Sequence, residues 1–197
     1  MTSAQFMSIA QPRPRRWTRE EYYRMADLGL FEGQRVELIA GEVVQMALQS
    51  NPHYVAIGLV QDALRRAFGE NHWIRVQGPL HAVDESEPEP DVAVVSGHPR
   101  DYKDHPRTAL LVVEISGEHS LTYDAQRKAN LYAASGIADY WILNLEEESV
   151  IVFRKPTPDS NEEFGARYSD SKTLYANDAV SPLAMPQVQI RVADLLP

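Results

Sequence analysis

The sequence predicts an α/β (α+β) domain: a mixed β-sheet flanked by helices, with an N-terminal helix and a β-hairpin ahead of it. Three observations predict it. Between residues 51 and 68 the apolar Ala56, Ile57, Val60, Ala63, Leu64, Ala67 and Phe68 recur at steps of three and four, the signature of an amphipathic helix. Ala109 to Ile115 is apolar on both faces up to Glu114, as expected of a central strand covered on both sides. Strand-like and helical runs also follow one another in an order that buries apolar faces only when helices pack on a sheet.

Each element has a local reason. Residues 1–16, with Pro12 and Pro14 among Arg13, Arg15 and Arg16, are expected to form an extended arm, and 17–197 a single domain. Thr18 followed by Glu21 is a capping box, and Gly29 supplies a stop, so 18–28 reads as a short helix. Arg35 to Met46 places two β-rich runs around a turn at Gly41 and reads as a hairpin. Asn51 as cap and Pro52 at the first helical position open the long helix, whose other face carries Gln61, Asp62, Arg65 and Arg66. Strand-like runs follow at His72 to Gln77, resuming near Leu80 to Val83, at Asp91 to Val95, and at Ala109 to Ile115. A helix is expected from about Tyr123 to Ser135, ending at Gly136, with Asp124, Lys128 and Tyr132 on one face. Asp139 to Leu143 and Ser149 to Phe153 form a further hairpin. After Lys155 the turn-rich segment with Pro156, Pro158 and Gly165 reads as a surface excursion, and Ser181 to Pro197 adds a strand or short helix.

Composition bounds the function. The chain has 197 residues, 44% of them hydrophobic, enough for one substantial core. Acidic residues outnumber basic ones 28 to 19, giving −9, which excludes a protein that coats nucleic acid through bulk charge. With no cysteine, disulfides, thiolate metal sites and cysteine nucleophiles are excluded. No apolar run approaches the roughly 20 residues of a membrane span, and the N-terminus lacks the apolar core of a secretory signal, so a cytoplasmic location without membrane attachment is expected.

The chemistry lies in a few carboxylates. Glu114 ends an apolar strand, where an ionised acid must meet a cation or face a cleft. Asp91 opens another apolar strand. If the two strands pair antiparallel, these acids converge, in outline a divalent-metal site. Lys128, one helical turn after Asp124, would face back towards the sheet. Each has a plainer reading: Asp91 as a turn residue, Lys128 as solvated or paired with Asp124, His53 as structural, Tyr132, Tyr140 and Trp141 as packing, and Asp84 to Glu89 as a solvated connection.

The pieces Glu37-Leu-Ile-Ala-Gly41-Glu-Val, His53, Glu89-Pro90-Asp91-Val-Ala-Val-Val, Val113-Glu114-Ile, Asp124-x-x-x-Lys128-x-x-x-Tyr132-Ala and Gly136-Ile-x-x-Tyr140-Trp141-Ile-Leu, in this order, resemble the Uma2 family. That family is also described as a domain of unknown function and as restriction endonucleases, within the PD-(D/E)xK nuclease superfamily, and the resemblance covers about residues 18–155. It implies a restriction-endonuclease-like sheet and a Mg²⁺-dependent endonuclease, with Mn²⁺ an alternative, acting on DNA. Asp91 and Glu114 would ligate the metal, joined by the backbone carbonyl of Ile115. Ser116 stands where the superfamily's usual lysine would be, and Lys128 matches the relocated lysine, which would orient the attacking water. Glu37 would help position that water, and His53 would touch metal, water or phosphate, with Asp124 supporting.

The loop Gly117-Glu118-His119-Ser120 departs from the family's Ser-Pro-Ser-Thr-like pattern, which puts loop contacts to substrate in question more than the metal site. A homodimer is compatible with the superfamily. Arg13 to Arg19, Arg65 with Arg66, and Arg127 with Lys128 would form the local phosphate track. Two alternatives stand beside this reading: a catalytically silent interaction protein that keeps the fold, and a two-carboxylate glycosidase, which leaves Lys128 without a role.

Overall fold

Thr18 Oγ1 accepts from the Glu21 N–H at 3.2 Å and Glu21 returns a bond to the Thr18 N–H at 3.0 Å, so the expected capping box starts α1 (Arg19–Asp27). The computed structural model describes residues 13–117 and 120–197. Residues 1–12 of the expected arm, and Glu118 and His119 of the loop read above, lie outside the described residues. The hairpin follows as β1 (Val36–Ile39) and β2 (Glu42–Gln45), paired from Val36↔Gln45 to Ile39↔Glu42. Its two-residue turn, Ala40-Gly41, has positive φ at both positions, 51° and 74°, as a tight hairpin requires. Gly41 has a second constraint: a Cβ there would meet the Trp17 carbonyl oxygen at 2.9 Å, because the chain entering α1 crosses the turn and Trp17 N–H donates to Gly41 O.

α2 (Asn51–Phe68) buries the six apolar residues Ala56, Ile57, Val60, Ala63, Leu64 and Phe68. Its cap is Ser50, one residue before the expected Asn51; the Ser50 hydroxyl accepts from His53 N–H at 3.4 Å. The shift is physically easy because Pro52 stays in the first turn, where its missing N–H would have had no partner.

Six strands make the central sheet: β3 (His72–Val76), β4 (Val92–Ser96), β5 (Leu111–Ser116), β6 (Asp139–Asn144), β7 (Ser149–Pro158) and β8 (Ala166–Tyr175), side by side in that order. β5 and β6 are parallel and every other pair is antiparallel, so the sheet is mixed as predicted. The parallel pair is joined by α3, a helix in three pieces: Leu121–Tyr123, a π-helical turn Asp124–Lys128, and Ala129–Ala134. Alternate residues of the strands face opposite layers. Val92, Val94, Leu111, Val113, Ile115, Trp141 and Leu143 pack on the α2 side, and Ala93, Val95, Val112, Tyr140 and Ile142 on the α3 side. β5 is buried along its whole length, as its two-faced apolar run predicted.

Three local expectations are corrected. Leu80 to Val83 is a connection with only an isolated bridge, Ala82↔Ser86. Of the acidic run, Asp84 and Glu85 are exposed but Glu87 is buried, because its backbone bridges Leu38 of the hairpin and its carboxylate meets Arg19. The segment after Lys155 is no excursion: β7 runs on to Pro158 and pairs with β8 from Ser149↔Tyr175 to Pro158↔Ala166. Its prolines are tolerated because β6 pairs β7 only as far as Arg154, leaving Pro156 and Pro158 with a neighbour on one side alone. The C-terminal stretch forms a small pair, β9 (Ala179–Val180) with β10 (Ile190–Arg191), and a 3-10 turn at Val192–Asp194, whose Val180, Ile190, Val192 and Leu195 complete the α2-side core. Among the described residues no helix is long and apolar enough to cross a membrane.

Candidate functional site

The register of two strands builds the centre of the site. β4 and β5 are antiparallel with Val92 opposite Val113, so the next pair outward is Asp91 and Glu114. By the two-residue alternation both side chains fall on the α3 face. The acids are laced together through the backbone: Asp91 N–H donates to Glu114 Oε2 at 3.2 Å, and Ile115 N–H donates to Asp91 Oδ2 at 2.9 Å. α3 then lays Lys128 over them. Its ammonium donates to Glu114 Oε1 at 3.0 Å and to Glu37 Oε1, from β1, at 3.1 Å. It does not pair with Asp124, the partner that helical spacing offered; Asp124 instead accepts from Ser116 Oγ at 2.6 Å. The π-turn accounts for this. Ala129 N–H reaches back five residues to Asp124 O, and the widened turn brings both Asp124 and Lys128 into the interior, where both are buried.

These residues line one cavity of about 310 Å³, together with His53, Gln49, Glu89, Arg35 and Ser120. The residues singled out in the sequence, Glu37, His53, Asp91, Glu114, Ile115, Asp124 and Lys128, all border it. His53 reaches it from the first turn of α2, with Nε2 3.1 Å from Asp91 Oδ1. Sequence reasoning missed three neighbours. Tyr132, read as packing, donates to Glu114 Oε1 at 2.6 Å, and Gln49 and Gln77 approach Asp91 Oδ1 at 3.3 and 3.4 Å. Only Tyr132 carried a signal, its place one turn beyond Lys128 on the same helix face. Arg127, grouped with Lys128 as a phosphate contact, is instead held by Glu42 and Glu163 at 2.8 and 2.9 Å. Arg15, Arg16 and Arg19 likewise pair with Glu21, Glu42 and Glu87, so most of the expected track is already neutralised.

The electrostatics of the cavity are unbalanced. Glu37, Glu89, Asp91, Glu114 and Asp124 border it against the cations Arg35 and Lys128. Burial, reinforced by Asp91, Asp124 and Glu37, pushes Glu114 up to about 8 despite Lys128. Burial raises Glu37 and Asp124 as well. Asp91 moves the other way: burial would raise it, but His53, the Ile115 N–H and Lys128 together hold it below the usual carboxylate range. Lys128 is fully buried, yet attraction to Glu114, Glu37 and Asp124 overcomes that desolvation and keeps it charged.

Such a donor set fits a hard divalent cation. Glu37 Oε2 is buried without a hydrogen-bond partner among the described residues, and burial raises the proton affinity of Glu37 and Glu114, where a cation would supply the missing charge. Among the described residues no three histidine or acidic side chains converge on one point, so Asp91 and Glu114 would be joined by backbone or water oxygens, the mode usual for Mg²⁺. One structural prediction arises here. Tyr132→Phe keeps the ring and removes the donor to a buried acid, and is expected to lower unfolding stability in urea by about 1–3 kcal/mol. An unchanged midpoint and slope would show that the residue only packs.

The sequence profile of the family described as "Uma2: Putative restriction endonuclease" matches residues 19–193. No curated protein matches. Among solved structures, the crystal structure of "a putative nuclease belonging to DUF820" from Anabaena variabilis superposes with a TM-score of 0.66 at 13% identity, covering 90% of this chain and 96% of that one.

Proposed function

The chain belongs to the Uma2 family, and from that premise we propose that it is a metal-dependent nuclease hydrolysing phosphodiester bonds of DNA in the cavity between β4, β5 and α3. The observation that carries the reading is the convergence of Asp91 and Glu114 across two antiparallel strands under a lysine held by two carboxylates. Asp91, Glu114 and the carbonyl of Ile115 are the residues that would hold Mg²⁺ or Mn²⁺. When bound, such an ion polarises a phosphodiester oxygen and acidifies a water.

The chain's own residues do the rest. An ammonium has three N–H donors, and Glu37 and Glu114 take two from Lys128, which leaves the third for the attacking water or for a phosphate oxygen gaining charge in the transition state. Because the two acids fix Nζ, that donor is positioned before substrate arrives. Glu37 Oε2 has no hydrogen-bond partner among the described residues, and burial raises the proton affinity of its carboxylate, so it would accept the water's proton. His53 and Gln49 hold Asp91 from the α2 side, and Asp124 with Ser116 supports the helix that carries Lys128. Two carboxylates alone would serve a glycosidase equally well; the buried lysine between Glu37 and Glu114 favours phosphoryl chemistry, where negative charge accumulates.

Incubating the purified protein with supercoiled plasmid, with and without Mg²⁺ or Mn²⁺, tests the reading. Nicked or linear plasmid is expected only with the ion. Plasmid and an RNA substrate both left intact under every condition would overturn the nuclease reading, and cleavage confined to the RNA would overturn the assignment of DNA.

A further inference from the structure

A second concavity, of about 790 Å³, lies on the α3 side of the sheet at its β3 edge, and its chemistry is the reverse of the first. Its charged lining is Arg19, Arg75, Lys103 and Arg107 against Glu87 and Asp104, with His81 and His105 besides. In a chain of net charge −9 this is a cationic pocket. Arg19 is engaged by Glu87. Among the described residues, however, no carboxylate lies within salt-bridge distance of Arg75, Lys103 or Arg107.

Arg75 is the unusual member. It is only 7% exposed, and a guanidinium so buried is ordinarily paired. Here it lies over the Trp73 ring, 4.4 Å from the centroid, and against Gly78, with a single hydrogen bond, from Nη2 to Pro79 O at 2.9 Å. Its Nε–H is buried without a partner among the described residues. Such an arrangement costs stability unless an anion completes it. Gly78 is part of the cradle, since a Cβ there would meet Arg75 Nη2 at 2.7 Å. Aromatic rings wall the pocket: Trp73 against Tyr102 at 5.7 Å between centroids, and Tyr23 stacked on His105 at 6.0 Å. The surrounding cations add to burial in holding His81 and His105 below the usual histidine range, as a pocket awaiting negative charge would.

We propose that this pocket binds a nucleotide unit, with the phosphate on Arg75, Lys103 and Arg107 and the base against the Trp73 and Tyr102 rings. Planar guanidinium recognition of phosphate and base stacking on aromatic side chains are the two features that single-stranded nucleic acid demands together. The location suits a strand that also reaches the catalytic cavity. Gln77, two residues beyond Arg75 in the chain, donates to Asp91 Oδ1 at 3.4 Å, so the chain leaving β3 runs from one site to an acid of the other. Pairing this pocket with cleavage rests on the nuclease reading; binding of the nucleotide does not.

Binding is therefore measured without metal, in EDTA, on the full chain, using a fluorescein-labelled 12-nucleotide single strand, AMP and inorganic phosphate. The variants are Arg75→Gln, Trp73→Ala and the surface change Lys103→Gln/Arg107→Gln, each checked by its melting curve. Each is expected to weaken the strand about tenfold or more, the loss of one charge-assisted contact or one stacked base. Because the doubly substituted surface variant removes only exposed side chains, it keeps the test valid if Arg75→Gln does not fold. Loss of AMP binding in parallel also supports the proposal and identifies a free nucleotide as sufficient. Phosphate bound as tightly as AMP with Trp73→Ala silent, or a strand bound equally by all variants, would overturn it. Plasmid and RNA both left intact alongside variant-sensitive binding would sink the nuclease reading and leave this one standing.

Discussion

Asp91→Asn and Glu114→Gln, each folded by its melting curve, are expected to lose more than about a thousandfold in plasmid cleavage, because a single electrostatic stabiliser in a water-poor site contributes 10²–10³ and a ligand acts through the whole charge of the ion. The amide substitutions are chosen for shape. An asparagine oxygen can still accept the Ile115 N–H that Asp91 Oδ2 accepts, and a glutamine oxygen can still accept from Tyr132 and Lys128, losing only the longer bond from Asp91 N–H, so the shape is kept while the charge goes. A second readout separates ligand from scaffold. Millimolar Mg²⁺ is expected to raise the melting temperature of the unmodified chain, since an ion that binds only the folded state stabilises it, and to leave Asp91→Asn unmoved. Cleavage surviving in either variant, or equal stabilisation of both proteins by Mg²⁺, would reject these two residues as ligands.

Lys128→Met is the other large effect, and it reaches stability as well as activity. The lysine is buried with two carboxylates on its ammonium. Removing one partner of a buried ion pair costs about 3–5 kcal/mol, because the acids left behind face a low-dielectric interior unpaired. The sign with pH follows from the acids. Burial raises Glu37 and Glu114 above their unfolded values even with Lys128 present, and without its charge both rise further. A carboxyl whose folded pKa is raised contributes stability below its unfolded value and loses it as pH climbs through the folded one. The variant is thus expected to be closest to the unmodified protein near pH 5 and to fall behind it towards pH 8 and above. Glu37→Gln placed on Lys128→Met should restore part of the loss at high pH. A pH-independent deficit, or one that grows on acidification, would show that methionine disturbs packing and not charge. Cleavage should be lost at every pH, since the methionine thioether has neither charge nor donor for the negative charge that develops in the transition state.

The cavity was partly legible beforehand because its acids sit where patterning makes them conspicuous. Glu114 interrupts a run of aliphatic residues, and an antiparallel pairing of that run with Val92 to Val95 was enough to bring Asp91 opposite it. Lys128 was visible as one face of a helix, but its partners were not. Helical spacing offered Asp124 four residues back, and the π-turn, which no local propensity encodes, brought Glu37 from 91 positions away. Tyr132 looked like packing for a similar reason. A buried tyrosine reads as core until the oxygen it meets is known. The basic stretches misled in the opposite direction: Arg15 pairs with Glu21 nearby, and Arg19 and Arg127 with acids far along the chain, whereas Arg75, unremarkable in the sequence, is buried with no carboxylate among the described residues to pair it.

The sequence by itself determined the helices, the hairpin and the strands from β3 to the start of β7, the lack of thiol chemistry and the two acids at the ends of apolar strands, because each rests on periodicity, capping or composition read locally. The tertiary structure alone decided that Pro156 and Pro158 end a strand, that Lys128 bridges β1 and β5, and that charge divides into an acidic cavity and a basic aromatic pocket. Pairing of charges and the closing of a site depend on residues far apart in sequence, and only packing fixes their distances.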